Sequence, residues 1–233
     1  MIEIRGLVKR YGHIQAIRGI DLTIPTGSYT TLFGPNGAGK TTLMKILSTL
    51  TRPTLGTVAV GGRDLFEEQE EIRGTIGVIS HNSFLYGSLS AQENLRFYSS
   101  LYGIEHAAER CNHLLCEVGL EKRRDDQVRT FSQGMKQRLS IARALLADPA
   151  IVLLDEPFNG LDQHAARMLQ RILGELHDGK RTIMMITHNL SQGLEGTDRV
   201  LILVKGRIAH DSPVSGIDPA AFEATYFEAV EGN

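Results

Sequence analysis

Gly34-Pro35-Asn36-Gly37-Ala38-Gly39-Lys40-Thr41-Thr42 fits the phosphate-binding pattern Gly-x-x-x-x-Gly-Lys-[Ser/Thr]. Its flanks supply the context that the pattern needs. The apolar run Tyr29 to Phe33 leads in as a strand. Leu43, Ile46, Leu47 and Leu50 lead out at helical spacing, and Pro53 marks the end. Glycines let the backbone curl without Cβ clashes, so that successive N–H groups point at one spot. The new helix adds the positive end of its dipole. Lys40 supplies a point charge for outer phosphates, and the Thr41 hydroxyl suits Mg²⁺. Gly34 to Thr42 are therefore the expected phosphate contacts.

A chain of 233 residues can build one large α/β domain or two intimate subdomains. A net charge of −2 and a pI of about 6.4 give nothing that looks like the basic footprint of a nucleic-acid binder. The two cysteines, Cys111 and Cys116, have neither redox nor zinc spacing and read as free thiols in a reducing cytoplasm. No signal peptide is expected, because Ile2 and Ile4 alternate with Glu3 and Arg5 as in a strand. The longest apolar runs, such as Ile151 to Leu154 and Val200 to Val204, are strand-sized. The expectation is a soluble protein that needs a spanning partner for any membrane role.

Ile14 to Ile17 and Asp21 to Ile24 read as short strands, followed by the turn Pro25-Thr26-Gly27. Thr57 to Val60, the turn Gly61-Gly62 and the run Ile76 to Ile79 read as an antiparallel layer beside the phosphate loop. Residues 89 to 147 are mainly helical in pattern: Gln92 to Leu101, His106 to Val118 and Met135 to Ala147. Strands and helices then alternate: Ile151 to Leu154, Asp162 to His177, Thr182 to Ile186, a short helix after His188, and Val200 to Val204. Such alternation implies a parallel sheet covered on both faces. The acidic last twenty or so residues read as helical.

Ile151 to Glu156 is a buried strand ending in two carboxylates, and ligands of open α/β sheets collect at such strand ends. Asp155 is placed for the Mg²⁺ shell, and Glu156 for polarising a water that attacks the γ-phosphate. Ser132-Gln133-Gly134-Met135 opens a helix with a hydroxyl and free N–H groups, which suits an anion.

In this order the motifs resemble the ATP-binding cassette family of transporter subunits. Tyr11, in Arg10-Tyr11-Gly12, looks like the aromatic that stacks on adenine. Phe131-Ser132-Gln133-Gly134-Met135 resembles the signature Leu-Ser-Gly-Gly-Gln. Asn159-Gly160-Leu161-Asp162 resembles the loop that crosses to a partner subunit, and His188 resembles the switch histidine that reaches the γ-phosphate. The resemblance runs from the first strand to about Gly206. It implies an α/β P-loop NTPase cassette with a parallel core sheet, an antiparallel β subdomain and a helical signature subdomain. The implied division is 1–83 with 150–211 for core and β subdomain, 84–149 for the helical part, and 212–233 for a tail.

The sequence departs from the family at His81, which stands where a Mg²⁺-linking glutamine is usual, with Asn82 beside it. His81 is either a metal ligand or a loop histidine facing solvent. The resemblance further implies Mg²⁺-dependent ATP hydrolysis by Lys40, Glu156 and His188. It implies two cassettes head to tail as a homodimer or heterodimer, with Ser132 and Gly134 acting on the partner's nucleotide. It also implies a permease partner that holds the chain on the inner face of the cell membrane, and docking at residues Phe84 to Gly103. Ala91 to Tyr98 is similar to exporter-type cassettes, including the ATPase of the haem exporter of cytochrome c maturation. Alternatives are a cassette acting on ribosomes or nucleic acid, and a regulatory ATP-binding module.

Overall fold

The computed structural model describes residues 1–80, 83–215 and 217–232. In chain order the first strands are β1 (Ile2–Tyr11), β2 (Ile14–Ile24), β3 (Tyr29–Phe33), β4 (Leu55–Val60), β5 (Arg63–Asp64) and β6 (Ile76–Ile79). Then come β7 (Ile151–Asp155), β8 (Thr182–Ile186), β9 (Arg199–Val204) and β10 (Arg207–Pro213). The helices are α1 (Lys40–Leu47), α2 (Gln69–Arg73), α3 (Ala91–Leu101), α4 (Ala107–Glu117), α5 (Gln133–Ala144), α6 (Gln163–Leu176), α7 (Leu190–Leu194) and α8 (Pro219–Glu231).

The strands form two sheets. The smaller is antiparallel, in the order β2-β1-β4-β5. The larger runs β10-β9-β3-β8-β7-β6 and is parallel except at β10. The expected run Ile76 to Ile79 is a strand, but it lies in the parallel sheet and not in the antiparallel layer. Ile76 pairs with Ile151 and Ile79 with Leu154. Four apolar residues fit the pleat in either direction, so only the partner decides. The two short strands expected near the start are one continuous strand, β2, and α5 ends at Ala144, ahead of the Pro149 expected to stop it.

Alternate residues of the central strands enter different cores, as burial on both faces requires. Val152, Leu154, Ile183 and Met185 face the cluster under α3, α4, α5 and α6. Leu153, Met184, Ile186, Leu201 and Leu203 face the antiparallel sheet and α1. A third cluster joins Phe33, Val200, Ile202 and Val204 to Phe222 of α8. The Phe33 and Phe222 rings lie 5.2 Å apart.

α3 begins with a full capping box. Ser90 accepts from Glu93 N, and Glu93 accepts from Ser90 N. Such a cap contributes about 1 kcal/mol. The turn between β9 and β10 reaches back to the phosphate loop. Gly206 N donates to Ala38 O at 2.8 Å, and Arg18 N donates to Gly206 O at 2.8 Å. The loop is thus tied to both sheets. Among the described residues no helix is long and apolar enough to cross a membrane.

Candidate active site

The phosphate loop lies between β3, buried throughout, and α1. Its shape depends on glycine at two places. Gly34 has φ 153, and a Cβ there would lie 2.2 Å from Leu203 O. Gly39 has φ 110, and a Cβ would lie 2.5 Å from Ala16 O. Both values are left-handed or nearly so, and both positions press on backbone that cannot retreat. Gly39 is also the N-cap of α1, and no side chain caps that helix start. The amides of the first turn are left to accept an anion from outside. Pro35, Asn36, Gly37 and Ala38 form the curl, closed by Ala38 N donating to Pro35 O at 3.2 Å.

Lys40 is 8% exposed and bends back over this curl. Its Nζ donates to Gly34 O at 2.6 Å and Pro35 O at 2.9 Å. Burial lowers its pKa from the ordinary 10.5, while the negative charges of Glu156 and Asp155 oppose the fall. Thr41 and Thr42 follow on the first turn of α1, where Thr41 is exposed.

β7 delivers the carboxylates. Asp155 ends the strand and is 5% exposed. Glu156 takes φ 51, a left-handed conformation that a non-glycine residue adopts at a cost of about 1–2 kcal/mol. The strain turns its side chain across to the end of β8. Thr187 Oγ1 donates to Glu156 Oε2 at 3.1 Å, and His188 Nδ1 lies 2.7 Å from Glu156 Oε1. Thr187 Oγ1 also accepts from Asn189 N at 3.1 Å. The carboxylate is therefore held at both oxygens, with His188 mostly exposed beside it.

Ser132 is the N-cap of α5, accepting from Met135 N at 3.3 Å. Gly134 faces the turn that follows Glu156, where a Cβ on Gly134 would lie 3.7 Å from Gly160 O. Gln137 Nε2 donates to Pro157 O at 3.3 Å in the interior. α5 is thereby fixed to the segment just after the carboxylates. Asp162 caps α6 by accepting from Ala165 N at 2.8 Å. Tyr11 stands on the hairpin between β1 and β2, 46% exposed, with Lys9 Nζ 5.0 Å from its ring centre. His81 lies outside the described residues.

The structure thus joins Lys40, Asp155, Glu156 and His188 at one end of the parallel sheet, seats Gly134 against the turn that follows Glu156, and leaves Tyr11 exposed on the β1–β2 hairpin. Sequence reasoning missed Thr187 and the Gln137 anchor. The polar Thr187 at the end of an apolar strand was the available signal for the first. The donor set suits a magnesium nucleotide. It offers oxygen donors on Thr41 and Asp155, a glycine cradle, an uncapped helix start and a lysine resting on carbonyl partners.

Comparison with known proteins agrees with this chemistry. The family described as ABC transporter matches residues 17–159. The chain is 36% identical over 209 residues to the daunorubicin/doxorubicin resistance ATP-binding protein DrrA of Streptomyces peucetius, covering 89% of this chain and 63% of that one. It is 35% identical over 235 residues to the sulfate/thiosulfate import ATP-binding protein CysA of Mycobacterium tuberculosis (strain ATCC 25618 / H37Rv), covering 98% of this chain and 67% of that one. The chain therefore spans about two thirds of the length of these relatives. Its fold matches the dimeric post-hydrolysis structure of the ATP-binding cassette MJ0796 bound to ADP and Pi. That match has a TM-score of 0.85 and 25% identity, and covers 93% of this chain and 100% of the other.

Proposed function

Since the chain belongs to the ABC transporter family, we propose that it is the ATP-hydrolysing subunit of a transporter, working as one of two cassettes on a separate membrane-spanning permease. The observation that carries this reading is Glu156, held between Thr187 and His188 at the strand end beside the Lys40 loop.

In this reading the loop amides and the start of α1 hold the β- and γ-phosphates of ATP. Lys40 exchanges the carbonyls of Gly34 and Pro35 for phosphate oxygens. Thr41 and Asp155 would hold Mg²⁺, which would supply charge neutralisation. Glu156 orients the attacking water and takes its proton, and His188 turns from Glu156 towards the γ-phosphate. Tyr11 stacks on the adenine. Ser132 and Gly134 act on the nucleotide of the second cassette, since they open outward at the start of α5. Catalysis is then positioning and electrostatic stabilisation of a displaced phosphoryl group.

The surface around Phe84 to Gly103 is the part that meets the permease. A groove of about 250 Å³ supports this, in which exposed Phe84 and Tyr102 of that region meet exposed Leu50 of the core over the buried Arg143. Exposed apolar side chains such as these three mark contact sites. The chain would sit peripherally on the inner face of the membrane through that contact. The relatives described include an import protein beside a resistance protein, so the proposal covers the ATPase step and leaves direction to the permease. The similarity to haem exporters does not recur among them, and no cargo is proposed from it.

Phosphate release from Mg-ATP tests the reading. Turnover per chain should rise with protein concentration, because each site lacks a signature until a second copy supplies it. Absence of release at any concentration would remove the hydrolytic function.

A further inference from the structure

Gly193, in the short helix after His188, lies against the ring that ends β3. A Cβ at this position would stand 2.4 Å from Phe33 Cε1, 2.5 Å from Phe33 Cζ and 2.8 Å from Thr187 Cγ2. Cβ atoms do not reach such distances, so the contact exists only because residue 193 has no side chain. Phe33 directly precedes Gly34, whose carbonyl receives Lys40. Thr187 directly precedes His188 and bonds Glu156. The backbone of α7 is therefore seated where the phosphate-loop entrance and the end of β8 meet.

We propose that Gly193 is a positioning residue for hydrolysis, setting the height of α7 on the Phe33 ring and thereby the hold of Thr187 and His188 on Glu156. The proposal rests on the ATPase reading above. Phe33 cannot give way. It is fully buried in a central strand, and Phe222 backs it at 5.2 Å. α7 is the partner that shifts, being a five-residue helix with exposed Ser191 that rests on the same cluster through the half-buried Leu190 and Leu194. Moving a methyl from 2.4 Å to ordinary contact asks α7 to rise by about 1 Å. The route to Glu156 is continuous. Gly193 N donates to Asn189 O at 3.0 Å, Asn189 N donates to Thr187 Oγ1 at 3.1 Å, and Thr187 Oγ1 donates to Glu156 at 3.1 Å. The loop itself is anchored elsewhere, through Ala38 and Gly206.

The test compares wild type, Gly193→Ala, and Gly193→Ala with Phe33→Leu, which removes the obstructing ring. Gly193→Ala should lower kcat by about 10- to 100-fold, the scale of a 1 Å misplacement, with ATP affinity held within about threefold. In the ligand-free protein, hydrogen exchange at the backbone amides of positions 192 and 193 should quicken. The double variant, in which only the 2.8 Å approach to Thr187 Cγ2 remains, should recover most of kcat and of the slow exchange. Wild-type kcat and exchange in Gly193→Ala would overturn the proposal, as would a double variant no better than the single. If Gly193→Ala does not fold, Phe33→Leu alone opens a gap under α7 and should quicken the same two amides; unchanged exchange there would also overturn it. A wild-type chain without ATPase activity defeats the functional reading instead, and the exchange data still decide the packing claim.

Discussion

Replacing Glu156 by Gln separates the chemistry of this site from its folding. The carboxylate accepts from Thr187 Oγ1 at 3.1 Å and pairs with His188 Nδ1 at 2.7 Å. A glutamine keeps one oxygen for one of these partners and turns an NH₂ towards the other. Neutral His188 can accept that NH₂ by changing tautomer. The loss is then one charge-assisted contact to a mostly exposed imidazole, about 1 kcal/mol or less. The left-handed backbone at φ 51 is unchanged, so its strain cancels between the two proteins. Melting should fall by only about 2–4 °C. The chemical loss is much larger, since removing a positioned base costs about 10²- to 10⁴-fold in kcat, or roughly 3–5 kcal/mol of barrier. Single-turnover phosphate release, a thermal melt and ATP calorimetry on both proteins form the assay. The expected result is slow hydrolysis, intact ATP binding and an ATP-bound dimer that persists. Hydrolysis at the wild-type rate would refute the assignment of the base. Loss of ATP binding in step with hydrolysis would refute the division between the carboxylate and the loop.

Gly39→Ala combines left-handed strain with a Cβ 2.5 Å from Ala16 O, and should cost roughly 2–5 kcal/mol with loss of ATP affinity; urea unfolding and calorimetry report the two parts. Phe222→Ala removes a ring that is 2% exposed against Phe33 and should cost about 3–5 kcal/mol by urea unfolding, which makes α8 part of the folded unit. Burial pushes the Tyr29 phenol well above its ordinary 10.0, with the charge of Glu195 adding to the shift. Above that ordinary value the unfolded chain has lost a proton that the folded chain keeps. Stability must therefore fall as pH rises, by up to about 1.4 kcal/mol per pH unit from this group, and Tyr29→Phe should flatten that limb of the unfolding curve.

Much of the site is legible in the sequence because its parts are local. A glycine curl between an apolar strand and a helix announces itself, as does an apolar strand ending in Asp155 and Glu156. The contacts that tie these parts together are not local. The retreat of Lys40 onto Gly34 and Pro35 depends on how the loop curls. The grip of Thr187 on Glu156 depends on β7 lying beside β8. Strand direction is similarly hidden, as β6 shows by pairing parallel with a strand that follows only after three helices. β10 escaped detection because its residues alternate between exposed and half-buried, with no apolar run. α8 reads as an acidic helix, and nothing local says that Phe222 packs under the phosphate loop's strand. Gly193 is the sharpest case, since a glycine in a five-residue helix gains meaning only from the ring above which it lies.

Calorimetric titration with Mg-ATP, on wild type and Lys40→Ala, tests the central claim most directly. The account predicts one saturable site per chain in the wild type. It predicts affinity at least tenfold weaker in the variant, about 1.4 kcal/mol or more, because the phosphate charge is removed while the glycine cradle remains. No binding by the wild type, or equal affinity in the two proteins, would contradict it.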